Sequence, residues 1–156
     1  MARVMKKAFL FFSLLICAFA FSASAAAQRN IEPKVERDPI LEADAKHNLE
    51  VAWQYFKLKK AYKAVLMRTE ETIAAHPLFS KMDEILYLSG MSSYYLSNNK
   101  GKQKIDFKSE EEKARFAPEK LREDAVAYLS QLVEQHPQSK YKDDAEKTLK
   151  ELKAAK

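Results

Sequence analysis

Two stretches of the chain, 61–77 (AYKAVLMRTEETIAAHP) and 121–137 (LREDAVAYLSQLVEQHP), have the same length and run into the same His-Pro stop. Superimposed, they set Val65 over Ala125, Thr69 over Leu129, Ile73 over Val133 and His76-Pro77 over His136-Pro137. Apolar residues at three- and four-residue spacing make each stretch a one-faced helix. The residue before a proline is driven out of the helical region, so each helix ends at its histidine. A one-faced helix cannot bury its stripe alone, whereas repeated helices bury it by stacking. The fold this predicts is all-α, a short array of antiparallel helix pairs. The functional question then becomes which surface binds, rather than which residues react.

Composition agrees. Only 2 Gly and 5 Pro occur in 156 residues, and these are the residues most costly inside a helix. Beyond the N-terminus no stretch alternates apolar and polar residues over strand length, so no sheet is expected.

Residues 1–27 belong to a different problem. Arg3, Lys6 and Lys7 precede an apolar run over 8–21, and small residues with Ala-x-Ala sites follow to Ala27. That is the layout of a secretory signal peptide, cleaved after Ala25 or Ala27. The run is shorter than the ~20 residues a spanning helix needs. Its three cations leave with it, so 27 Lys+Arg against 22 Asp+Glu become 24 against 22 in the mature chain. A nearly balanced surface gives no support for a nucleic-acid partner, which needs a concentrated basic face. Cys17, the single cysteine, lies in the apolar run. A disulfide is therefore ruled out, and acylation at Cys17 is disfavoured because bulky Ile16 stands where a lipoprotein signal carries a small residue.

After a polar lead-in over 28–37, Asp38-Pro39 opens the first helix, Asp as N-cap and Pro at the first helical position. Its expected inward stripe is Leu41, Ala45, Leu49, Ala52, Trp53 and Phe56. The second helix turns Tyr62, Val65, Leu66, Thr69 and Ile73 inward. Ser80 with Asp83-Glu84 reads as a capping box for a third, whose Met82, Leu86, Ser89, Gly90 and Ser93 share a face. An insertion at 97–117 carries Lys100, Lys102, Lys104, Ile105 and Phe107 as a candidate docking loop, with a short helix capped by Ser109. Pro118 then opens the partner helix, and Ser139 caps a last one with Tyr141, Ala145, Leu149 and Leu152 on its apolar side.

Leu49, Ala52, Trp53, Phe56, Val65, Thr69 and Pro77 fall at the spacings of the tetratricopeptide pattern, whose period is ~34 residues. The chain from 38 to 156 thus resembles a short tetratricopeptide array of two or three repeats. Trp53 stands where that pattern has Gly, and so should push two helices apart or fill a gap between them. Further, Pro137-Gln-Ser139-Lys-Tyr141 with Asp144-Ala145, and Glu84-Ile-Leu-Tyr-Leu-Ser-Gly90, resemble elements of the outer-membrane assembly lipoprotein (BamD-like) family. That resemblance covers roughly residues 44–152. It implies a periplasmic or outer-membrane scaffold, peripherally associated with the membrane, that docks on barrel-assembly proteins or their clients.

No chemistry competes with this. His47, His76 and His136 are too dispersed for a metal site, and His76 and His136 sit at equivalent helix ends, where an imidazole can meet the last carbonyls. No nucleophile stands at a recognisable motif spacing from a base. We therefore expect no catalytic residue, cofactor or metal. In tetratricopeptide proteins the first helix of each pair lines the groove, which here selects Glu50, Gln54 and Lys57, with His47, from one helix. From the other it selects Tyr87, Met91, Tyr94 and Tyr95, with Glu84. The competing readings are that the tyrosines pack against the last helix, and that the chain is a small self-associating structural protein of the envelope.

Overall fold

A computed structural model describes residues 37–106 and 108–154. The signal peptide, Cys17, the lead-in up to residue 36 and Phe107 lie outside the described residues. Among the described residues the chain is helical without a strand, and no helix is long and apolar enough to cross a membrane.

Asp38 caps α1 (Pro39–Gln54), its side chain accepting from the amides of Ile40 at 2.8 Å and Leu41 at 3.4 Å. The helix widens into a π-turn over Tyr55–Lys59 and stops at Lys60, left-handed at φ 47°. Only Lys60 and Ala61 separate that turn from α2 (Tyr62–Ala75), so the first pair is a tight hairpin. Then follow α3 (Met82–Ser97), the short α4 (Glu110–Arg115), α5 (Pro118–Gln135) and α6 (Lys142–Ala154).

The centre of the array is α3, which packs on α2 along one side and α5 along the other. Its adjacent residues Ile85 and Leu86 enter different cores. Ile85 and Leu88 join Ala45, Leu49, Ala52, Val65 and Phe79, while Leu86 and Met91 join Ala125, Leu129, Leu132, Ala145, Leu149 and Leu152. Full burial stabilises by roughly 1.5–3 kcal/mol for each large aliphatic side chain. The close approach of α3 and α5 is made at Gly90, where a Cβ would stand 2.5 Å from Leu129 Cγ.

Several expectations are corrected. Leu41 is 51% exposed, because α1's first turn overhangs the turn after α2 and meets no helix there. Position 53 does not set the spacing of α1 and α2: Ala52 is fully buried in the first core, and half-buried Trp53 turns to α3. Ser80 is no cap, since α3 begins after Lys81 without a side-chain cap. Ser80 instead gives its hydroxyl and its amide to Glu42 on α1, a carboxylate being a stronger acceptor than a neutral group. Ser139 does the same one repeat later, donating to Asp83 at 2.7 Å while accepting from the Tyr141 amide at 3.2 Å. The serine after each His-Pro thus staples its turn to the preceding first helix.

The histidines also differ from the sequence reading. At both helix ends the backbone N–H, not the ring, meets the last turn: His76 N–H donates to Thr72 O and His136 N–H to Leu132 O, each at 2.9 Å. The His76 imidazole is buried and joined to Asp44 of α1 through Nε2 at 2.9 Å, whereas His136 is half-buried.

The inserted segment is strapped down on α2. Lys63 Nζ donates to both Glu112 oxygens at 2.7 Å, the Ala64 amide to Gln103 Oε1 at 3.1 Å, and the Lys102 amide to Lys60 O at 3.0 Å. Arg115 pairs with Glu70. Ser109 caps α4 as expected. Ile105 and Phe116 pack against a third core of Tyr62, Leu66, Leu96 and Leu121. Ile105 is therefore engaged within the chain.

Candidate binding face

The first helices α1, α3 and α6 stand side by side, and the seams between them are aromatic. Glu84 is their hub. Its side chain is only 14% exposed, and its Oε2 accepts from Trp53 Nε1 of α1 at 2.8 Å and from the Tyr141 hydroxyl, just before α6, at 3.1 Å. Tyr87 and Tyr141 stack at 4.4 Å, with Trp53 5.8 Å from Tyr141 and 6.2 Å from Tyr87. Through Phe56, 5.8 Å from Trp53, the aromatic strip continues to Tyr95 and Tyr62.

Tyr87 donates its hydroxyl to Asp144, and Tyr94 donates to Glu151 at 2.8 Å. These contacts, with Thr148 Oγ1 donating to Met91 Sδ at 3.6 Å, tie α6 to α3. Burial first, then the Asp144 carboxylate, pushes the Tyr87 hydroxyl well above the ordinary phenol range. Tyr94 is raised chiefly by its hydrogen bond to Glu151, and Tyr95 and Tyr141 chiefly by burial. Phenols held in the protonated state by adjacent carboxylates are donors and stacking surfaces, not bases.

Of the residues that spacing selected, Glu50, Gln54 and Lys57 are exposed on one edge of α1 and its π-turn, as is His47. Lys57 lies over the Trp53 ring at 4.3 Å. Tyr87, Tyr94 and Tyr95 are half-buried, the first two bonded to α6 and Tyr95 lying against Phe56 and Tyr62, while Met91 is 4% exposed and belongs to the second core. The packing reading holds for Tyr87 and Tyr94, whose hydroxyls meet the last helix. All three rings are left half-covered. Missing from the sequence selection are Trp53 and Phe56, read as core stripe, and Tyr141, read as the apolar side of the last helix. Lys140, over Tyr141 at 4.9 Å, was also missed, while Lys100, selected with the docking loop, lies over Tyr95 at 5.6 Å. The spacing of Tyr141 after Ser139 was visible, but which ring it would meet depends on the stagger of α6 against α3.

Stacked helix pairs with an aromatic, lysine-edged face define a helical-repeat protein. The family model of the outer membrane lipoproteins (YfiO) matches residues 18–155, and the chain belongs to that family, the tetratricopeptide-like, BamD-like one that the repeat elements resembled. No curated protein and no solved structure matches it. Membership associates the chain with the cell envelope and with a family of non-catalytic scaffolds in envelope protein assembly.

Proposed function

We propose that the mature chain is a non-catalytic scaffold at the periplasmic face of the outer membrane, where it holds protein partners during assembly of β-barrel proteins. The observation that supports this best is the aromatic strip from Trp53 to Tyr95, left half-exposed along α1 and α3. Aromatic rings and Met are favoured at interfaces because they bury large area at low entropic cost. Beside the strip Glu50, Gln54 and Lys57 offer polar contacts, and Tyr87, Tyr94 and Tyr95 form the floor. Nothing in this reading needs a metal, a cofactor or nucleic acid.

A photo-cross-linking residue at Gln54 or Lys57, both outside the hydrogen-bonded seams, tests it in intact envelopes. Adducts with outer-membrane barrel-assembly proteins are the expected result. Recovery of the mature chain alone from gently solubilised envelopes, without adducts at either position, would overturn it. Mass spectrometry of the mature N-terminus decides separately between cleavage after Ala25 or Ala27 and acylation at Cys17.

A further inference from the structure

The two ends of the array are unlike. At the C-terminal end α6 presents Lys147, Lys150 and Lys153 outward, the polar cap that keeps a repeat array soluble. At the N-terminal end Ile40 is 78%, Leu41 51% and Leu78 61% exposed. Between α1's first turn and the turn after α2 lies a cleft of about 280 Å³, lined by Leu41, Leu78, Phe79, His76, Arg37 and Glu42.

We propose that this cleft seats an apolar side chain from a partner protein, in a segment that flanks that side chain with Lys or Arg. Two observations point to that chemistry. The cleft has room for an apolar side chain, and Leu41, Leu78 and Phe79 give it apolar walls. The rim carries the carboxylates of Asp38, Glu42 and the neighbouring Asp44 against the single cation of Arg37, whose Nε donates to Leu78 O at 2.7 Å, so its charge is net acidic.

Charge also selects among occupants. A second copy related by a two-fold axis sets the same three carboxylates against each other, a repulsion that disfavours wrong partners. Head-to-tail stacking brings the lysines of α6 but, among the described residues, no exposed large apolar side chain of that helix.

A random peptide library selected on the mature chain tests the proposal, with Leu78→Glu and Leu41→Glu as cleft variants and Arg122→Ala as a control on exposed α5 surface. Circular dichroism checks that each variant folds. The expected outcome is enrichment of peptides carrying Leu, Ile or Met beside Lys or Arg, with affinity lost tenfold or more on either cleft variant and kept on the control. Enrichment of acidic peptides, equal binding to Leu78→Glu, or no enrichment at all overturns it. So does concentration-dependent dimerisation abolished by Leu78→Glu, which gives the cleft to a second copy. Enrichment seen only on a Val35→Ser variant gives it to residues 28–36.

Discussion

Glu84 accepts the indole N–H of Trp53 at 2.8 Å from a position 31 residues away in the chain, and so ties α1 to α3. The same carboxylate oxygen takes the Tyr141 hydroxyl, bringing in the segment that leads to α6. Removing the carboxylate leaves two half-buried donors facing each other. Hydrogen bonds to charged groups are worth about 1.5–3 kcal/mol, so Glu84→Ala should cost about 2 kcal/mol and Glu84→Gln distinctly less. Trp53 is the only tryptophan, so its fluorescence during urea unfolding reports the change directly. An unaltered midpoint for Glu84→Ala would remove the hub.

Gly90→Ala sets two effects against each other. Alanine gains about 1 kcal/mol of helix propensity over glycine, but its Cβ would meet Leu129 Cγ at 2.5 Å and Cδ2 at 2.6 Å. Overpacking costs about 1–3 kcal/mol, and the clash wins because Leu129 is fully buried with no room to turn. The variant should melt lower, and shortening Leu129 to Ala should restore part of the loss in the double variant, which a double-mutant cycle by thermal melting measures.

Tyr87 makes stability fall at alkaline pH. Its folded pKa is raised, first by burial and then by Asp144, above the unfolded value of about 10. The stability it contributes is whole below that value and is lost as pH rises beyond it. The wild-type stability curve above pH 10 should therefore slope downward more steeply than that of Tyr87→Phe, followed by denaturant titration across that range. Parallel curves would assign the slope to other tyrosines.

The strap over 97–117 should loosen in acid. Glu112 sits below the ordinary carboxylate range, chiefly through its hydrogen bond from Lys63 and next through the Asp106 amide. Its hold is complete above that ordinary range and disappears as pH falls through the lowered value. Amide hydrogen exchange in the Ala64 and Lys102 region should accelerate in Glu112→Gln at neutral pH, with the amides of α3 and α5 unchanged. Equal acceleration throughout would show that the strap supports the whole array.

The repeat was legible because a helix period and a proline stop are local properties of the chain, and every helix announced by them exists. Side-chain destinations were less legible wherever a polar atom could choose between a local and a distant partner. Ser80 reads as a cap until Glu42 arrives from 38 residues away, and His76 reads as a helix-end group until Asp44 comes within reach. Leu41 fits the stripe by spacing and loses it by position, because no period tells where the neighbouring helix stops. Likewise the spacing put the three tyrosines on one helix, while the stagger of α6 decided that it would take the hydroxyls of Tyr87 and Tyr94.

The insertion has one more effect, on the order in which the chain acquires its shape. The first hairpin closes across Lys60 and Ala61, whereas α3 and α5, the most closely apposed pair, close only across residues 98–117. Each doubling of a loop costs about 0.6 kcal/mol of closure entropy, and that cost falls before the contacts at Gly90 and Leu129 repay it. The amino-terminal pair can thus fold as it emerges into the envelope. The strap that closes the second half docks on Lys60, Lys63, Ala64 and Glu70, a surface that exists only once the first hairpin has formed.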